Sequence, residues 1–161
     1  DVAIGVRTAD CIPVLLYDPV NRAIGAAHSG WRGTVNMIVK KTVIEMCRLF
    51  GTRPDDILAV IGPGIDYDSF QVGDDVALTF KESGFPIERI WSFRGARQEG
   101  SMKGGHHIDL KECVRYSLTE CGVPEKNITV SAIDTYTDDR FYSARREGIS
   151  CGRNINAIML I

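Results

Sequence analysis

The sequence predicts a mixed-sheet domain of the α/β to α+β class, a β-sheet sandwich with flanking helices. Strand-like and helix-like segments interleave along its 161 residues, which argues for sheet and helix sharing one core. Two of the strands are joined by a turn signal too short for a crossover, so they form a hairpin and the sheet is not purely parallel. The length suits a single domain, since a chain near this size buries about 68–70% of the surface its unfolded state exposes.

Taken in order, Val2-Ala3-Ile4-Gly5-Val6 is an apolar run that reads as a strand already under way. Asp1 is not an initiator methionine, and upstream sequence is expected. Ile12 to Tyr17 is a second strand, Asp18-Pro19-Val20-Asn21 a turn, and Arg22 to Ala27 the returning strand. A helix from about Gly33 to Phe50 places Val35, Ile38, Val39, Thr42, Val43, Met46 and Phe50 on one face at steps of three and four, a face expected to be buried. Gly51 suits its C′ position, and Pro54 follows as a stop. Ile57 to Ile61 is a continuous apolar run ended by Gly62-Pro63-Gly64 and reads as a buried strand. Asp74 to Lys81 is a short amphipathic helix closed by Gly84, and Ile90 to Phe93 is another strand. From Arg94 to Gly105 glycine and charge dominate, which predicts a mobile loop. Asp109 is a good N-cap for a second long helix with Leu110, Cys113, Val114, Leu118 and Cys121 inward and Gly122 at its end. Ile128 to Ile133 alternates like a half-buried strand, and Asn154 to Ile161 puts Ile155, Ala157, Met159 and Ile161 on one face. Without a repeat or linker, residues 1–161 read as one domain.

A hydrophobic share of 44%, a charged share of 25% and a net charge of −2 describe a soluble protein with no bulk attraction to nucleic acid or to an anionic membrane. No apolar stretch reaches membrane-span length and no leader opens the chain, so a cytoplasmic location is expected. Five cysteines without a CxxC do not form a secreted disulfide framework.

Chemistry is concentrated at Cys11 and His28. With the turn centred between Pro19 and Val20, Cys11 opposes His28 across the hairpin. Opposed residues share a face with Cβ atoms roughly 4.5–5.5 Å apart, a gap that a metal with bonds of about 2.0–2.3 Å to imidazole and thiolate could bridge. A bulge at Pro13, which has no amide donor, would shift that register by one residue and separate the pair. Without its opposed histidine, a cysteine beside a strand would read as a small buried hydrophobe.

Thr8-Ala9-Asp10-Cys11-Ile12-Pro13, His28-Ser29-Gly30-Trp31-Arg32-Gly33 and Phe141-Tyr142-Ser143-Ala144-Arg145-Arg146 with Gly152-Arg153 together resemble the YfiH/laccase-domain family. Gly62-Pro63-Gly64-Ile65, Phe70-Gln71-Val72, Asp109-Leu110 and Gly122-Val123 fall in the same order, so the resemblance covers the visible chain. It implies a zinc-dependent purine nucleoside phosphorylase acting on adenosine, inosine, guanosine or methylthioadenosine, with adenosine deaminase side activity. Other members are known as polyphenol oxidases or as peptidoglycan editing factors. Cys11 and His28 correspond to two zinc ligands, and the third is a histidine upstream of Asp1. Tyr136 stands where relatives often carry a cysteine.

Zinc with an open position brings water near ionisation at neutral pH, which suits attack at C6 of adenine. Phosphorolysis also needs an anion pocket. Arg32, at the start of the first long helix, is one candidate for it. Arg145 and Arg146 are the others, and in an extended segment they would point to opposite sides, so that only one enters the site. Asp10 would likewise point away from Cys11. As bland alternatives, Trp31 packs at a helix start, Gly30 and Gly33 serve a tight turn, the arginines are surface charges, and His106 and His107 are a solvated loop pair, either of which could substitute for the missing ligand. Two other functions stay open. Cys11 activated by His28 would make a cysteine hydrolase or amidase, suited to peptidoglycan editing. The chain could also be an inactive fragment or interaction domain. A multicopper oxidase fits least, because such a centre takes many more histidines than the three present.

Overall fold

The Asp18 carboxylate sets the register of the first hairpin. In the computed structural model, which describes residues 2–95 and 104–161, strand β1 (Ala3–Thr8) is followed by β2 (Ile12–Asp18), which returns as β3 (Ala23–Ser29). Asp18 Oδ1 accepts from the Val20 and Asn21 amides at 2.8 and 3.1 Å, and Oδ2 accepts from Asn21 Nδ2 at 2.9 Å. Arg22, at φ 50°, closes the loop. The turn is therefore centred between Val20 and Asn21, one residue later than expected, and every pairing moves by two. Asp18 faces Ala23, and Pro13 rather than Cys11 faces His28. An even shift keeps every side chain on its face, so Cys11 stays on the His28 side, displaced along the diagonal. Pro13 makes no bulge: the ladder runs unbroken from Ile12 opposite Ser29 to Asp18 opposite Ala23.

Burial raises the Asp18 pKa, but hydrogen bonds from the Asn21 side chain and from the Asn21 and Val20 amides outweigh it and hold the carboxyl below its usual value. The stability it adds is full above the unfolded pKa of about 3.9 and is lost as pH falls through the lower folded value. Asp18→Ala is expected to destabilise by about 1–3 kcal/mol near neutral pH. Urea unfolding checks this, and the difference from wild type should shrink across that acid range.

Next come α1 (Trp31–Val35), α2 (Ile38–Phe50), β4 (Leu58–Ile61), β5 (Gln71–Val72), α3 (Asp74–Glu82), α4 (Ile87–Ile90), β6 (Trp91–Arg94), β7 (Gly105–Ile108), α5 (Leu110–Glu120), β8 (Ile128–Val130), α6 (Ala144–Glu147) and β9 (Asn154–Met159). The fold is α+β with a mixed sheet, as predicted. Its largest sheet has the order β3-β2-β4-β8, antiparallel except for the β4/β8 pair. One face of it buries Ile12, Val14 and Leu16 of β2, Ala23 and Ala27 of β3, and Ala59 and Ile61 of β4. Val39, Val43 and Met46 of α2 and Leu110, Cys113, Val114 and Leu118 of α5 belong to the same core. Asp109 caps α5 by accepting from Glu112 N at 2.8 Å. Gly51 and Gly122 end α2 and α5 at φ 69° and 93°, a region that favours glycine. Burial pushes the Cys113 thiol far above its usual pKa, in keeping with a packing role.

Several elements differ from expectation for identifiable reasons. The helix predicted from Gly33 to Phe50 is two helices, broken at Met37, which takes φ 57°. Thr34 Oγ1 donates to Gly30 O and Asn36 Nδ2 to Arg32 O, side-chain bonds that compete with helix continuation. Strand β4 is buried on one face only, with Leu58 and Val60 exposed on the other. The apolar side of β9 also points outward, Ile155 being 76% exposed. Among the described residues β9 pairs only with β1, in a two-stranded ribbon, and Asn156 of its other side donates to Thr8 Oγ1. Strand β8 stops at Val130. His106 and His107 lie in β7, in the antiparallel sheet β5-β7-β6, rather than in a loop. Residues 96–103, most of the predicted loop from Arg94 to Gly105, lie outside the described residues. Among the described residues, no helix is long and apolar enough to cross a membrane.

Candidate functional site

Cys11 immediately precedes β2, and His28 is the penultimate residue of β3. Gly30 follows β3, and a Cβ on it would stand 2.8 Å from Cys11 Sγ and 3.9 Å from His28 Nε2. Thiol and imidazole therefore border one gap, kept open by the side chain that glycine lacks. Cys11 is half-buried and His28 exposed. Burial pushes the Cys11 thiol up and the Asp10 charge adds to this, while its own backbone and the Arg153 charge pull it partly back. One thiol and one imidazole facing the same gap are part of a donor set that zinc accepts. Among the described residues, no group of three or more His, Cys, Asp or Glu is arranged to hold a metal.

Neither of the other histidines completes the set. His106 Nδ1 accepts from Trp91 Nε1 at 2.9 Å, its Nε2 lies 3.0 Å from Asp74 Oδ1, and its ring packs on Trp91 and Phe93. His107 is buried, with Nδ1 3.1 Å from Tyr67 O. Both lie in the β5-β7-β6 sheet and make these contacts with that sheet and the segments flanking β5.

Arg145 and Arg146 lie on one helical turn, α6, rather than in an extended segment, so strand alternation does not separate them. Their contacts do. Arg146 Nη1 donates to the carbonyls of Thr135, Tyr136 and Asp138, and Nη2 donates to Phe141 O and to Glu147. Arg146 thereby holds a loop. Arg145 lies 5.6 Å over the Phe70 ring and Arg32 4.3 Å over the Trp31 ring. Neither is ion-paired to a carboxylate among the described residues, and both are exposed. The helix that carries Arg32 has five residues, not the long helix expected, so its guanidinium rather than an extended amide dipole is the cation there. Arg153 is held by the carbonyls of Ile149, Cys151 and Gly152.

The residue that the sequence sets aside is Asp10. It is not in a strand, as the expectation that it points away from Cys11 assumed, but at φ 82°. Its carboxylate accepts from Thr135 Oγ1 and from the Arg145 amide. The only local signal was chemical: aspartate is among the residues that tolerate a left-handed backbone.

All 161 residues match the profile of the family described as multi-copper polyphenol oxidoreductase laccase. The chain is 45% identical over 156 residues to a protein named purine nucleoside phosphorylase from Bacteroides thetaiotaomicron, a match covering 96% of this chain and 56% of the relative. It is 41% identical over 158 residues to a protein named adenosine deaminase RL5 from an unknown prokaryotic organism, covering 98% and 58%. The crystal structure of the Bacillus licheniformis hypothetical protein YfiH superposes with a TM-score of 0.84 at 32% identity, covering 96% of this chain and 56% of that one. The structure of YlmD from Geobacillus stearothermophilus gives 0.81 at 30% identity, covering 97% and 56%. The chain thus spans little more than half the length of these relatives.

Proposed function

Because this chain belongs to the multi-copper polyphenol oxidoreductase laccase family, we propose, from the names its relatives carry and from its own site, that it serves zinc-dependent phosphorolysis of purine nucleosides. The substrates of this reading are adenosine, inosine, guanosine or methylthioadenosine together with phosphate, with adenosine deamination as a side activity. The observation that carries it is the gap over Gly30 that Cys11 and His28 share. Zinc held by Cys11, His28 and a histidine upstream of Asp1 would supply a Lewis acid.

The remaining work falls to side chains of this chain. A guanidinium matches two phosphate oxygens at once, and of the three candidate arginines Arg146 is paired with Glu147, whereas Arg145 and Arg32 are paired with no carboxylate among the described residues. Stacking on Phe70 and Trp31 limits the freedom of each before an anion arrives. Arg146 keeps the loop behind Arg145 in place. A cysteine nucleophile is disfavoured, since a thiol raised by burial and by a neighbouring carboxylate is the reverse of an activated one.

The test is release of purine base from adenosine and inosine by the zinc-loaded full-length protein. Release should require phosphate and stop on chelation, and Arg32→Ala should mainly raise the phosphate requirement, by about tenfold or more for a lost charged hydrogen bond. Zinc-loaded protein that releases no base from any purine nucleoside refutes the assignment. Activity that survives chelation favours the hydrolase.

A further inference from the structure

Asp10 joins the two halves of the proposed site. Its positive φ turns the side chain into a buried position, 9% exposed, beside Cys11 in the chain. There Oδ2 accepts from Arg145 N at 2.7 Å and Oδ1 from Thr135 Oγ1 at 2.8 Å. Its own carbonyl accepts from Ile65 N, while Thr135 N donates to Gly64 O. Three segments distant in sequence therefore converge on one residue. The Arg145 amide is a first-turn donor of α6 with no intrahelical acceptor. Ser143 Oγ caps the neighbouring Arg146 amide, which leaves that of Arg145 to Asp10.

We propose that Asp10 is a positioning residue whose carboxylate fixes the turn bearing Arg145 relative to Cys11. It thus sets the span between the anion-binding guanidinium and the thiol–imidazole pair. The inference rests on the reading of Arg145 as a phosphate partner. Span matters because two bound reactants must meet in register, and a misplacement of about 1 Å can lower a rate by about a hundredfold.

Two substitutions separate positioning from mere stabilisation. Asp10→Gly removes the carboxylate while accepting φ 82° without strain. Asp10→Asn keeps an oxygen for the Arg145 amide and turns its nitrogen to the Thr135 hydroxyl, which can accept. In the zinc-loaded full-length protein, Asp10→Gly should raise the phosphate KM, and the Kd for inorganic phosphate by calorimetry, about 10–100-fold. The nucleoside KM and zinc content should stay near wild type, and Asp10→Asn should recover most of the loss. Thr135→Val removes one anchor of the carboxylate and should raise the phosphate Kd by a smaller factor, about threefold. The proposal is overturned if Asp10→Gly leaves phosphate affinity unchanged, or if it lowers phosphate, nucleoside and zinc affinity alike. Should Asp10→Gly not fold, an unchanged phosphate Kd in Thr135→Val overturns it. Wild-type protein that binds no inorganic phosphate instead sinks the phosphorylase reading, and the proposal with it.

Discussion

Cys11→Ala and His28→Ala are each expected to lower zinc affinity by at least about 100-fold, since outer partners of metal ligands alone contribute 10–100-fold, and to abolish phosphate-dependent base release. Metal content of the purified full-length variants, measured beside activity, checks both. Gly30→Ala tests the same site by another route. Gly30 sits at φ −76° and ψ 170°, which alanine adopts freely, so the substitution adds no backbone strain. Its methyl would stand 2.8 Å from Cys11 Sγ, inside contact distance, and would occupy the gap itself. Both donors remain, yet metal should be lost. Full zinc occupancy in Gly30→Ala would show that the gap is not where the ion sits.

The largest loss of stability is expected at Lys111. Its side chain is 9% exposed, and its ammonium donates to the Asp66 carboxylate and to the carbonyls of Ser131 and Ile133 at 2.9 Å each. Lys111→Ala leaves three acceptors without a donor. Breaking a buried pair from one side costs about 3–5 kcal/mol. Asp66 keeps 38% of its side chain in water, which places the expected loss near the lower end, about 3 kcal/mol. At about 2–4 °C per kcal/mol for a chain of this size, Tm should fall by roughly 6–12 °C. Lys111→Met keeps the aliphatic stem and should recover only packing, so a thermal scan of both variants separates stem from charge. A fall of a degree or two for Lys111→Ala would mean that water replaces the ammonium.

Periodicity and caps made most of the fold legible. Asp109, Gly51 and Gly122 mark helix ends by local chemistry, and the structure uses all three as expected. What was not legible depended on contacts between distant segments or on side chains bonding nearby backbone. The hairpin register turned on Asp18 folding its carboxylate over the turn, and the break at Met37 on Thr34 and Asn36 reaching back to carbonyls. Burial of β4 on a single face and the outward side of β9 follow from which neighbours each strand has, which an apolar pattern does not state. At the candidate site, Cys11 and His28 still share a face because a register shift of two preserves it. Asp10 carries no such local pattern, because its partners, Thr135 and Arg145, lie far along the chain.

Between β8 and α6 the chain runs from 131 to 143 with no helix and no strand beyond an isolated bridge at Asp134. It is nonetheless tied at almost every step. Lys111 holds the carbonyls of Ser131 and Ile133, the Asp134 carboxylate accepts from Asp66 N, Ser69 and Tyr136 N, Asp10 takes the Thr135 hydroxyl, and Arg146 gathers four carbonyls beyond it. A loop secured this way has already given up its conformational entropy during folding. An anion bound at the adjoining Arg145 turn, as proposed, would then meet a backbone with little disorder left to lose, and more of its contact energy would go into affinity than a flexible loop would allow.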